Sequence, residues 1–140
     1  MKSVFISYDH DDQSAKTDVE SVRLNSNNFV SFHDSSLNEP VYNMNGHVNR
    51  RMPNDPASEN VRTIIKNKLN ESSKLLVLIG RDTHSSEWVK WEIDTFQSMK
   101  NNSDILFMRI KGDFYSNLPK TVYGHTIKNW NMSELSSWLR

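Results

Sequence analysis

The chain has 140 residues, 17 acidic and 17 basic side chains, and no cysteine. Its length fits a single domain over residues 1–140 that buries roughly two thirds of its unfolded surface. Zero net charge offers no bulk attraction to nucleic acid or anionic membranes, and the missing cysteines exclude disulfides, thiolate metal sites and thiol catalysis.

Residues 2–8 (KSVFISY) are short, apolar and rich in β-branched and aromatic side chains, so a first strand is predicted there. Asp9, His10, Asp11 and Asp12 end it and cap a helix over 13–24, with Ala15, Val19 and Val22 as a thin inner stripe. After a polar turn at 25–28, Phe29 to His33 reads as a second strand ending at Asp34. Periodicity then vanishes from 35 to 54, a stretch holding Pro40, Gly46, Pro53, several asparagines and the pair Arg50 and Arg51. A connection of that length is commonly a binding loop or lid, the bland alternative being a disordered insertion.

Asp55 and Pro56 restart regular structure as N-cap and first helical residue, and Val61, Ile64, Ile65 and Leu69 carry the helix to about residue 70. KLLVLIG over 74–80 is a buried strand. A helix over 85–100 follows, with Ser85 or Ser86 as N-cap and Glu87 in its first turn. Residues 104–110 form a fourth strand, 112–124 are irregular, and 125–130 hold a short fifth strand. Asn131 or Ser133 caps a last helix bearing Leu135, Trp138 and Leu139. Alternating strands and helices imply a parallel sheet covered on both faces. Five strands suit a flavodoxin-like three-layer α/β sandwich of order 2-1-3-4-5, in which ligands bind at the carboxyl ends of the strands.

One residue is out of place. At helical spacing Trp88, Glu92, Phe96 and Met99 share a face, with Val89 and Ile93 beside them. Glu92 is thus an acid among aromatic residues on the face that turns inward, where burial is costly unless the acid is paired or protonated. A structural reading pairs it with a lysine or arginine of a neighbouring helix. Other chemistries find less support. Four glycines, at 46, 80, 112 and 124, allow neither GxGxxG nor a Walker loop, and no GxSxG is present. His10, His33, His47, His84 and His125 show no metal-ligand spacing, so no metal is expected. A receiver-type phosphoacceptor domain would use Asp9, Asp11 and Asp12 for magnesium, with Asp82 and Lys111 near later strand ends, but gives Glu92 no part.

The opening VFISYDHDD resembles the first-strand box of TIR domains, and Ser86-x-Trp88-Val89-x-x-Glu92 resembles their S-x-W-C-x-x-E helix, with valine in place of cysteine. With KLLVLIG and W-x-x-W-E-I, the closest likeness is to the TIR-like family of the bacterial Thoeris antiphage system, the ThsB type, over residues 2–110. The resemblance implies a flavodoxin-like fold and an enzyme that consumes NAD as substrate, with no resident cofactor, releasing nicotinamide and making a cyclic ADP-ribose isomer for a partner effector. It places the catalytic glutamate at Glu92. It places Ser7, Tyr8 and Asp9 along the nucleotide pocket, Trp88 in its wall, and Asp34 and Ser35 at the start of a covering loop. Trp91 is a candidate interface residue for a homo-oligomer. The alternative from another class is a TIR-like adaptor that binds a partner protein and turns nothing over. No apolar run approaches the ~18 residues of a membrane span, and the start shows no cleavable signal pattern, so a cytoplasmic protein is expected.

Overall fold

In a computed structural model of the chain, the described residues are 2–8, 32–34, 53–81, 83–100, 104–122 and 124–139. The expected helix over 13–24 and most of the aperiodic stretch, 35–52, lie outside them.

Five parallel strands form one sheet: β1 (Lys2–Ser7), β2 (Phe32–Asp34), β3 (Lys74–Ile79), β4 (Ile105–Arg109) and β5 (Ile127–Lys128). Their order is β2-β1-β3-β4-β5, the flavodoxin-like order expected from the alternation of elements. The register sets Ser7 beside Val77 and Ile79 beside Arg109, so the carboxyl ends of β1, β3 and β4 form one rim.

Two cores lie on opposite faces, because neighbouring side chains of a strand point in opposite directions. On one face Phe5, Leu75, Val77, Ile79 and Phe107 meet helices α1 (Glu59–Glu71) and α2 (Glu87–Met99) through Val61, Ile65, Leu69, Val89, Ile93 and Phe96. On the other, Val4, Ile6, Tyr8, Leu76, Leu78 and Met108 meet helix α3 (Met132–Leu139) through Leu135 and Leu139. The central strand β3 is buried along its whole length, which explains why its sequence is a continuous apolar run rather than an alternation.

Element starts differ from expectation for local reasons. The Asp55 carboxylate accepts from the Ala57 backbone N–H at 2.8 Å, two residues on, which tightens Pro56–Ser58 into a 3-10 turn before α1 opens. Arg62 donates to the carbonyls of Pro53 and, at 2.8 Å, Asp55, tying the end of the aperiodic stretch onto α1. α2 opens at Glu87 rather than residue 85, because Thr83–Ser85 form another 3-10 turn and Ser86 is the N-cap, accepting from Val89 N–H at 3.3 Å. β5 is only two residues long, set beside Phe107 and Met108.

At the amino end of the sheet three distant residues converge. Lys74, 6% exposed, pairs with Asp104 at 3.0 Å, donates to the Trp138 carbonyl, and lies 4.6 Å from the centre of the Trp138 ring. The Trp138 indole N–H donates to Asp104 at 2.7 Å. The start of β3, the residue before β4 and the last turn of α3 are thereby knotted together.

Candidate functional site

Glu92 lies in the second turn of α2, on the face shared with Val89, Ile93 and Phe96, and it is 9% exposed. Its carboxylate accepts a hydrogen bond of 2.5 Å from the Ser7 hydroxyl, across 85 residues of sequence. Ser7 is the last residue of β1 and shares the face of Phe5, toward α2. The pair therefore joins the carboxyl end of β1 to the opening turns of α2.

Burial pushes the Glu92 carboxyl up to about 8, against a smaller lowering by the Ser7 hydrogen bond. No cationic group among the described residues contributes to that balance. Glu87, Lys90 and Asp94 of the same helix are exposed. The alternative of an interior acid neutralised by a lysine or arginine therefore finds no such partner among the described residues. Among the described residues its partner is a neutral hydroxyl, and near pH 7 the folded protein holds the carboxyl mostly protonated.

Trp88, half-buried, stands one turn before Glu92 and meets Trp91 edge to face, with ring centres 5.7 Å apart. Both indoles pack against the α1–α2 core. Tyr8 falls elsewhere. It is 6% exposed and packs in the opposite core with Val4, Ile6 and Leu135, so the structure separates its ring from the Ser7–Glu92 pair. Asp34 ends β2 in register with Val4, three positions before Ser7, or roughly 10 Å short of it along the strand direction. Asp9, Ser35, Arg50 and Arg51 lie outside the described residues, as do Asp11, Asp12 and Asp82 of the receiver-type alternative.

One buried residue at this rim has no counterpart in the sequence reading. Thr83 is fully buried between β3 and α2. Its hydroxyl accepts from Gly80 N–H at 2.8 Å and donates to the Leu78 carbonyl at 3.3 Å. Its backbone N–H reaches the Gly80 carbonyl at 3.4 Å, and its carbonyl accepts from Ser86 N–H at 3.1 Å. A threonine among polar residues after a strand looks like an ordinary turn residue; only its depth distinguishes it.

Further along the rim, Arg109 at the end of β4 donates to the Ser116 carbonyl at 2.8 Å and to Asp113 at 3.4 Å. Burial tends to raise the Asp113 carboxyl, but the Ser116 hydroxyl, the N–H groups of Ser116 and Tyr115, and Arg109 together hold it below the usual carboxylate range. That cation and acid are already committed to each other and to the loop.

Residues 5–114 match the model of the family described as Thoeris protein ThsB, TIR-like domain. The chain belongs to that family. The match runs from β1 through β4 and includes both Ser7 and Glu92. No curated protein matches the chain. Among the described residues of this ThsB-type TIR-like chain, no helix is long and apolar enough to cross a membrane, and no cluster of three or more acidic or histidine side chains could hold a metal ion.

Proposed function

We propose that this TIR-like domain cleaves the nicotinamide–ribose bond of NAD and makes a cyclic ADP-ribose-type signal in antiphage defence, with Glu92 as its catalytic carboxylate. The observation that carries the reading is the buried Glu92 carboxyl at the carboxyl rim of the sheet, met by the Ser7 hydroxyl and by no cation among the described residues. A fold gains nothing from such an acid, since burying it costs free energy that an apolar residue would not. A ligand that brings positive charge changes that balance.

The nicotinamide ring of NAD carries that charge. When the bond between the ring nitrogen and the ribose anomeric carbon breaks, its electron pair goes to the ring, which leaves as neutral nicotinamide. The positive charge passes to the sugar as an oxocarbenium-like centre, as in glycoside cleavage. A carboxylate held in a water-poor site stabilises that charge. Because the leaving group departs neutral, no second acid is required. The bound cationic ring also favours the ionised carboxylate, so binding of NAD releases the Glu92 proton.

Cyclisation requires that a nucleophile of the same substrate, rather than water, reach the anomeric carbon. The stretch over 35–54 is proposed as the cover that excludes water, Trp88 as part of the pocket wall, and Asp9, Asp34 and Ser35 as nucleotide contacts. An effector protein that senses the product is the proposed partner. The protein is proposed to act in the cytoplasm.

The test is nicotinamide release from NAD, followed by chromatography, for the wild type and for Glu92→Gln. Release by the wild type that falls by roughly 100-fold or more in the variant is expected. Equal release by both proteins would falsify the assignment of Glu92. An adaptor would show no release by either, and its one supporting observation is the pair Phe114 (57% exposed) and Tyr115 (93% exposed), offered on the loop that Asp113 pins.

A further inference from the structure

The contact between Ser7 and Glu92 is fixed by three relations. Strand pairing holds Ser7 beside Val77 of β3, and helix geometry holds Glu92 relative to Ser86 at the N-cap of α2. The third relation is the angle at which the chain leaves β3 and enters α2. Residues 80–86 span that corner, and Thr83, through its hydroxyl and its backbone, ties the two arms together. The Thr83 hydroxyl grips the strand at Leu78 O and Gly80 N–H, while the Thr83 backbone binds Gly80 O and receives Ser86 N–H.

We propose that Thr83 is a positioning residue for Glu92, its four hydrogen bonds setting the angle of α2 against the sheet and so holding the carboxyl against Ser7. The proposal deepens the NAD-cleaving reading, on which its catalytic part rests. Its structural part concerns the environment of Glu92 in the free protein and stands without turnover. Removing the hydroxyl strips a buried N–H and a buried carbonyl of their shared partner, and the corner must open or admit water to satisfy them. Either change loosens α2 at its first turn, and Glu92 follows in the next. Displacements of about 1 Å at a reacting group cost up to about a hundredfold in rate.

Two substitutions separate hydroxyl from shape. Thr83→Val keeps the volume and loses the hydrogen bonds; Thr83→Ser keeps the hydroxyl and loses a methyl group. The Glu92 carboxyl carbon is titrated by NMR in the free protein, and kcat and KM for nicotinamide release are measured beside it. In Thr83→Val the Glu92 midpoint is expected to move down by about half a unit or more as water reaches it. Its kcat is expected to fall at least about tenfold, by more than KM changes. Thr83→Ser is expected to keep the wild-type midpoint and kcat. Should Thr83→Val not fold, Thr83→Cys, a weaker hydrogen-bonding group of similar size, replaces it with the same direction expected. A folded Val or Cys variant with an unmoved Glu92 midpoint overturns the proposal, and so does a Ser variant that behaves like Val. Because the titration uses no NAD, a protein that fails to release nicotinamide leaves this decision intact.

Discussion

Lys74 at the amino end of the sheet and Glu92 at its carboxyl end are both ionisable and both taken out of water, and their surroundings treat them in opposite ways. At the amino end Lys74 has an acid, a carbonyl and an aromatic ring around it, supplied by two residues far from it in sequence, Asp104 and Trp138. At the carboxyl end Glu92 has the Ser7 hydroxyl and no cation among the described residues. The first arrangement is complete as it stands and ties elements together. Among the described residues the second lacks a cation that would improve it, and in the proposed reading the positively charged ring of NAD takes that place. Burial alone does not separate the two arrangements, since the exposures are 6% and 9%. The state of the partners does.

The largest effect that probes the comparison is expected at Glu92. In the unfolded chain this carboxyl ionises at its ordinary value, 4.5, and in the folded chain at about 8. Below pH 4.5 both states hold the proton and burial carries little penalty. Between 4.5 and 8 the folded state keeps a proton that the unfolded state releases, so stability falls as pH rises, and above 8 the loss levels off. That loss has an upper bound of about 5 kcal/mol. Glu92→Gln cannot ionise, so this contribution to the fall of stability with pH, measured by denaturant unfolding, should be lost, and the variant should exceed the wild type at pH 8.5. The same substitution should abolish nicotinamide release. A variant that is inactive and also less stable at alkaline pH would mean that the acid is a structural partner. Wild-type kcat/KM should rise toward pH 8 as the free protein ionises.

At the opposite end Lys74→Ala should cost stability and leave nicotinamide release unchanged when the protein is assayed below its unfolding midpoint. The loss is on the order of 2 kcal/mol, below that of a fully buried pair because the Asp104 side chain is 47% exposed. Urea unfolding at pH 7 measures it. A selective loss of activity without loss of stability would erase the distinction between the two ends.

Much of the frame is legible in the residues, and the contacts that matter most are legible only in part. The strand order follows from the alternation of apolar runs and helical stripes, and Glu92 stands out because its spacing puts it on the face of Val89, Ile93 and Phe96. Its partner does not stand out, since Ser7 is 85 positions away and a serine closing a strand is unremarkable. Ser7 and Tyr8, adjacent in sequence, look like one pocket edge, yet strand alternation sends them to opposite cores. The knot at Lys74 is invisible for the same reason as Ser7: its members are 30 and 64 positions from Lys74, and no local spacing joins them. Thr83 is hidden by its type, a turn residue whose depth is set by the packing of α2.

Ser7→Ala sharpens the comparison with a smaller effect. Among the described residues the hydroxyl is the group that lowers the Glu92 carboxyl, so its removal should move the NMR midpoint further up and shift the pH profile of nicotinamide release to more alkaline values. The stability cost is about 1 kcal/mol, the worth of one hydrogen bond. A downward midpoint would mean that water enters and takes the place of the hydroxyl.

The smallest effect belongs to Asp104→Asn. The amide oxygen can still accept from the Trp138 indole N–H, and Lys74 keeps the Trp138 carbonyl and ring, so only the charge pairing is lost. Half of that acid faces water, where an ion pair is worth at most about 1 kcal/mol and is screened by salt. The expected change in unfolding free energy is therefore about 0.5 kcal/mol, shrinking further in 0.5 M salt. A cost several times larger would show that Lys74 depends on Asp104 as a buried charge depends on its counter-ion. The amino end of the sheet would then be as finely balanced as the carboxyl end, and the contrast would rest only on Glu92 having no cation among the described residues.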